Sequence, residues 1–97
     1  MDLLECREKI DAIDEQLLKL FIERMDVAKE VALYKHAHNL PIYHPTREQE
    51  MLEKIEKTAK NYGAFAQTLY QTILKISKDY QEGIINELKE ESPCNMV

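Results

Sequence analysis

An all-α domain of three helices, one long and two shorter, is the fold class this sequence predicts, and three features predict it. The 97 residues include only two glycines and three prolines, so few positions interrupt a helix. Apolar residues recur at helical spacing over most of the chain, and 44% of all residues are hydrophobic, enough for one compact core. The first helical stretch, residues 3–35, is too long for that core. At 1.5 Å per residue it would extend roughly 50 Å, well beyond the width of so small a globule, and much of its apolar seam would stay wet in a lone chain. A partner chain is therefore expected.

Set out in sevens, the first helix places Leu3, Ile10, Leu17, Arg24 and Val31 in one row, and Cys6, Ile13, Leu20, Val27 and Tyr34 in the row that completes the seam. Arg24 does not fit. A guanidinium cannot shed its proton to escape burial, so at an apolar position it needs an anionic partner. The adjoining row of Arg7, Asp14, Phe21, Ala28 and Lys35 brings Arg7 and Lys35 to the edge of the stripe, while Glu8, Glu15, Lys19, Glu23 and Glu30 belong to an ordinary solvated face. Taken alone, an inward arginine is a structural ion pair with a carboxylate of another helix. Any functional role has to come from the company it keeps.

The helical period fades after Lys35 in His36-Ala37-His38-Asn39-Leu40-Pro41, so the first helix should end near there, with Asn39 as a stop and Pro41-Ile42 favouring an extended path. Pro45 suits the first position of a second helix, which makes His44 its capping residue, although Asp, Asn, Ser or Thr would cap better. That helix should run over residues 45–62 and close at Gly63 in the left-handed conformation. Its inner stripe is Met51, Leu52, Ile55, Ala59 and Tyr62, and one turn back the same stripe reaches Arg47 and Glu48. A third helix over residues 65–89 should bury Leu69, Tyr70, Ile73, Ile76, Tyr80, Ile84 and Leu88, with Ser77 and Gln81 sharing that face and Gly83 as a weak point. Residues 1–90 then form one helical domain, and the polar stretch 91–97 with Ser92-Pro93 reads as a flexible tail.

Eighteen acidic against thirteen basic residues give a formal charge of −5 and leave no outward basic stripe, which disfavours nucleic acid. With no apolar run of membrane-spanning length and no signal-type start, a cytoplasmic chain without membrane contact is expected. Cys6 on the seam and Cys94 in the polar tail suggest one buried and one loose thiol rather than a disulfide. His36, His38 and His44 lack the companions of a metal site, and no Ser or Cys is paired with a His as an activated nucleophile. Neither metal, cofactor nor covalent catalysis is expected.

Arg7, Arg24, Lys35, Arg47, Glu48, Ser77 and Gln81 form an inward polar set drawn from all three helices. Four cations against one acid leave an excess of buried positive charge, which a small ligand with two or more negative charges would relieve. A glycine-rich phosphate loop is absent, so a dicarboxylate fits better than a phosphate. Catalysis would then work by positioning and by stabilising charge that appears in the transition state, with Lys35 and Gln81 as hydrogen-bond donors.

Arg7 with Arg24, the segment 23–31, Lys35, the Pro41 connection, Arg47-Glu48, and Ser77 with Gln81 together resemble the all-helical chorismate mutases, over nearly the whole chain. The resemblance implies an intertwined antiparallel helical homodimer that rearranges chorismate to prephenate in a pericyclic reaction needing no cofactor. It further implies that Arg24 and Arg7 of the partner subunit hold the two carboxylates, with Arg47 and Ser77 shaping that end of the pocket. Lys35 and Gln81 would grip the ether oxygen, and Glu48 would accept from the ring hydroxyl. This chain departs from the pattern at His44, where many relatives carry an acidic residue, and the departure touches the helix cap and one contact at the rim. Two alternatives stand beside this reading: the related isochorismate pyruvate lyases, which share fold and cationic pocket, and a non-catalytic helical dimerisation module whose inward charges fix register.

Overall fold

The computed structural model describes residues 1–90, which form three α-helices and, among the described residues, no strand. α1 spans Leu3–Ala37, α2 spans Pro45–Thr58 and α3 spans Gly63–Glu90, with a single 3₁₀ turn at Lys60–Tyr62 between the last two. The expected tail and Cys94 lie outside the described residues, and Cys6 is a free, half-buried thiol.

Each helix boundary has a local cause. Asp2 caps α1, its side chain accepting from the Glu5 N–H at 2.8 Å, with Glu5 itself favourable in the first turn. At the other end Asn39 takes the left-handed conformation (φ 54°), so that Leu40 N–H reaches the Lys35 carbonyl at 2.8 Å and Asn39 N–H that of His36 at 3.4 Å. That pair of bonds is the Schellman closure, with asparagine where glycine is commoner. Pro45 opens α2, and His44 does cap it, Nδ1 accepting from the Arg47 N–H at 3.2 Å.

The α2 to α3 junction departs from expectation. α2 stops at Thr58, Lys60 rather than Gly63 carries the positive φ (53°), and Gly63 lies in ordinary helical geometry at the start of α3. The glycine is needed for proximity instead: a Cβ there would sit 2.7 Å from the Glu56 carbonyl oxygen. Gln67 ties the same two helices together, its Nε2 donating to Glu56 Oε2 at 2.8 Å and to the Leu52 carbonyl at 3.4 Å.

α3 packs against both α1 and α2. On α1 the buried residues are Ala28 and Ala32, one turn apart, whose small side chains allow a neighbouring helix to approach closely. On α3 the buried residues are Gly63, Leu74, Ser77 and Gln81; of the expected stripe Tyr70, Ile73, Ile84 and Leu88 are half-buried, whereas Leu69, Ile76 and Tyr80 are exposed. The inner face is thus centred nearer Leu74 than expected while keeping Ser77 and Gln81, because α3 is apolar on more than one side and its neighbours within the chain cover only one of them. Tyr62, expected on the inner stripe of α2, is likewise exposed.

The seam of α1 is largely uncovered. Leu17 and Leu20 are 56% and 60% exposed, and Ala28, Ala32 and Leu74 are the buried hydrophobic residues of the described chain. The molecule measures 66 × 29 × 15 Å with a radius of gyration of 17.9 Å. A compact domain of this length would have a radius of gyration of about 12.5 Å. So elongated a chain has no large side chain fully buried among those described and leaves much apolar surface open to solvent.

Candidate active site

A cleft of about 280 Å³ opens between the C-terminal half of α1, the connection at residues 39–44, the first turns of α2 and the middle of α3. Val27, Ala28 and Val31 of α1, Met51 of α2 and Leu74 of α3 supply apolar wall. Arg24 and Lys35 enter from α1, Arg47 and Glu48 from α2, Ser77 and Gln81 from α3. Six of the seven residues singled out in the sequence thus line one cleft. The seventh, Arg7, lies 17 residues before Arg24 on α1, about 25 Å along the helix axis, and takes no part in this cleft.

The local structure explains the convergence. Arg24, Val31 and Lys35 are spaced by seven and four residues, so they share one side of α1 near its C-terminal end. Capping at His44 places Arg47 and Glu48 in the first turn of α2, and the Schellman closure at Asn39 turns the chain back so that this turn faces α1. Ser77 and Gln81 stand one helical turn apart on the buried side of α3.

Lys35 Nζ donates to the Ile42 carbonyl at 2.8 Å, which uses one of three N–H donors and leaves two for a ligand. Gln81 Nε2 donates to Ser77 Oγ at 3.0 Å, while Gln81 Oε1 is buried without a partner. A serine hydroxyl can donate as well as accept. With Ser77 donating to Oε1, the same contact leaves the amide NH₂ as the unsatisfied group, a buried donor awaiting an acceptor. Among the described residues the salt bridges join Lys75 to Asp79 and Lys78 to Glu48, so neither Arg24 nor Arg47 has an ion-pair partner. The structural ion pair that would have explained Arg24 is absent from the described chain.

Lys78 is the charged residue of the cleft that the sequence reading did not single out. Its Nζ lies 3.0 Å from Glu48 Oε1 and 4.5 Å from the centroid of the Tyr43 ring. Lys78 follows Leu74 by four and precedes Gln81 by three, so taking Leu74 as the inner residue would have found it. Four cations and one carboxylate therefore face a half-apolar cleft in a chain of formal charge −5. Such a cleft is suited to a small polyanion: Arg24 and Arg47 can pair with carboxylates, and Lys35 and Gln81 can donate to further oxygen acceptors. Among the described residues no three His, Cys, Asp or Glu side chains gather as metal ligands, and no helix is long and apolar enough to cross a membrane.

Residues 6–82 match the family model described as chorismate mutase type II. The chain is 32% identical over 93 residues to the chorismate mutase of Methanocaldococcus jannaschii, an alignment that covers 93% of this chain and 94% of that protein. It is 33% identical over 93 residues to the T-protein of Haemophilus influenzae, covering 96% of this chain but 22% of the T-protein. Over 63 residues it is 46% identical to the bifunctional chorismate mutase/prephenate dehydratase of Aquifex aeolicus, covering 64% of this chain and 17% of that one. The chain thus spans less than a quarter of each of these two larger relatives and nearly all of the archaeal one.

Proposed function

The chain belongs to the type II chorismate mutases, and from that premise we propose that it rearranges chorismate to prephenate as a cytoplasmic homodimer with two shared active sites. The observation that carries the proposal is the gathering of Arg24, Lys35, Arg47, Glu48, Ser77 and Gln81 from three helices into one cleft whose arginines have no protein counterion among the described residues. Two carboxylates on the substrate match those free guanidinium groups.

In the rearrangement the ether C–O bond breaks as a C–C bond forms between the enolpyruvyl chain and the ring, so no group leaves and no proton moves. Catalysis has two parts. Arg24 and Arg47, with Arg7 of the partner subunit, hold the carboxylates so that the side chain lies over the ring, which removes the entropy of reaching that conformer. Lys35 and Gln81 donate to the ether oxygen as negative charge grows on it, and Lys35 is held ready by its bond to the Ile42 carbonyl. For Gln81 to donate, its amide takes the flipped orientation, in which the Ser77 hydroxyl donates to Oε1 in place of the present Nε2–Oγ contact and the NH₂ is the free end. One oxygen of Glu48 accepts from the ring hydroxyl.

The homodimer supplies what a single chain lacks. An antiparallel partner helix laid on the exposed seam of α1 covers Leu17 and Leu20 and brings its Arg7 toward this cleft. The testing experiment follows chorismate loss optically and identifies the product. Prephenate formed without added metal or cofactor is the expected result. Release of pyruvate from isochorismate, with chorismate untouched, would assign the lyase instead, and inertness toward both would leave a non-catalytic dimerisation module.

A further inference from the structure

Lys78 lines the cleft, yet the reaction outlined above gives it no task. Its ammonium joins three parts of the site: it belongs to α3, pairs with Glu48 of α2 at 3.0 Å, and lies 4.5 Å from the centroid of the Tyr43 ring in the connection. The side chains of Lys78 and Glu48 are 28% and 19% exposed, so solvent screens this pair less than a surface salt bridge.

We infer that Lys78 is a positioning and specificity residue of this site: it ties down one oxygen of Glu48 and biases that carboxylate toward a neutral ring hydroxyl and against a ring ammonium. The inference rests on the mutase reading and deepens it. Glu48 is the one carboxylate lining a cleft that also holds Arg24, Lys35 and Arg47. Without a partner of its own it would turn toward one of those cations and compete with the substrate's carboxylates. Bound through Oε1 to Lys78, it is held at the start of α2 with Oε2 free to accept a hydrogen bond.

The tyrosine contact strengthens the arrangement. Lys78 lies against the ring of Tyr43 while Lys35 donates to the carbonyl of the preceding residue, Ile42, so a lysine from α3 and one from α1 pin consecutive residues of the connection. Substrate choice follows from charge. A hydroxyl needs only an acceptor, whereas an ammonium at the same ring position would place a second cation beside a carboxylate whose charge Lys78 already offsets. Like charges several ångströms apart in a half-buried site cost enough to discriminate by roughly tenfold.

The test measures kcat and KM of the purified full chain for chorismate and for the analogue carrying an amino group in place of the ring hydroxyl. In Lys78→Met, kcat/KM for chorismate should fall roughly tenfold, chiefly through a higher KM as Glu48 competes for the arginines. The preference for hydroxyl over amine should shrink by a similar factor. Lys78→Arg, which keeps the charge and can lie against Tyr43, should recover most of both. In a Glu48→Gln background the added Lys78→Met change should cost less than about twofold, since its route of action is gone. If Lys78→Met does not fold, as judged by circular dichroism and thermal midpoint, Lys78→Gln takes its place. An unchanged substrate preference, an equal loss for both substrates, or an equal loss with and without Glu48 would overturn the inference while the mutase reading stands. A wild-type chain that converts neither substrate overturns both.

Discussion

Lys35 Nζ and the carbonyl oxygen of Ile42 stand 2.8 Å apart, seven residues away in sequence, so the end of α1 is tied to the connection that leads into α2. One bond therefore does two things: it orients the ammonium and fixes the loop at the rim of the cleft. Lys35→Met retains the length of the side chain and loses both. Turnover should fall by roughly 10²- to 10³-fold, the loss seen when a transition-state hydrogen-bond donor is removed, while the thermal midpoint moves by only a few degrees at most. Steady-state kinetics paired with circular dichroism check this. A large fall in stability with proportionate loss of activity would point instead to the dimerisation module, in which Lys35 only fixes structure.

Gln81 is buried and does not titrate, so Gln81→Glu introduces a pH dependence with a known sign. Above the carboxyl pKa, about 4.3 for a free glutamate, the new group is an anion that repels charge growing on the ether oxygen; below it, the protonated acid donates as the amide does. Activity should therefore rise as the pH falls, beginning above that reference value because burial and substrate charge favour the neutral acid. A kcat/KM profile between pH 4 and 8 is the measurement. A flat profile at wild-type level would remove Gln81 from the site.

The two glycines make opposite predictions. A Cβ at Gly83 meets nothing within 4 Å, so Gly83→Ala should stabilise the protein by about 0.5–1 kcal/mol through the better helix propensity of alanine. At Gly63 the added carbon would lie 2.7 Å from the Glu56 carbonyl oxygen, and Gly63→Ala should destabilise by roughly 1–3 kcal/mol as α2 and α3 are forced apart. Denaturant midpoints of the two variants check both signs. A destabilising Gly83→Ala would show that the partner subunit packs against that turn of α3.

The junction at Gly63 also marks where sequence reasoning stopped. Stop and start signals written in local chemistry were legible: Asn39 closes α1, and Pro45 with His44 opens α2. Gly63 was misread, because a glycine wanted for close approach between two helices looks in sequence like one wanted for a positive φ. The charged set was legible because Arg24 interrupts an apolar row, Lys35 borders it, and Arg47 and Glu48 continue the α2 stripe by one turn. Lys78 was not, since it sits one residue from a stripe whose phase depends on which side of α3 the chain itself covers, a tertiary fact. The apolar seam of α1 was legible as a pattern, and the single chain leaves most of it exposed, as a seam reserved for a proposed partner would be.

His44 supplies a cap where carboxylates and small polar residues do better, and its Nδ1 already accepts from the Arg47 N–H at 3.2 Å. His44→Ala should therefore cost about 1 kcal/mol, whereas His44→Asp should raise stability by roughly 0.5 kcal/mol or more by adding a charge at the positive end of α2. Turnover should persist in both, since the cap positions Arg47 and Glu48 through backbone that the remaining contacts also hold. Thermal midpoints decide the matter. A lower midpoint for His44→Asp would reveal a contact of the imidazole other than the cap.

The last prediction concerns Arg7. It stands 17 residues before Arg24 on the same helix, about 25 Å away along the axis, whereas two arginines clamping one small dicarboxylate must converge within a few ångströms of it. Within one chain they cannot. Arg24 and Lys35 are roughly 16 Å apart on one side of α1, close enough for long side chains to reach a ligand between them, and both line the cleft. Arg7 can join them only from an antiparallel partner helix lying along the exposed seam, with the two-fold axis near Leu17 to Phe21. Arg7→Ala and Arg24→Ala homodimers should then each be nearly inactive, because every site in them lacks one arginine. Unfolded and refolded together, the two variants form mixed dimers in which one site joins the intact Arg24 of one chain to the intact Arg7 of the other, while the second site lacks both. Random pairing makes about half of the dimers mixed and half of their sites whole, so roughly a quarter of wild-type activity should return. Native mass spectrometry confirms that mixed dimers have formed; activity that stays at the level of the separate variants, with mixed dimers present, would rule out a site shared between subunits.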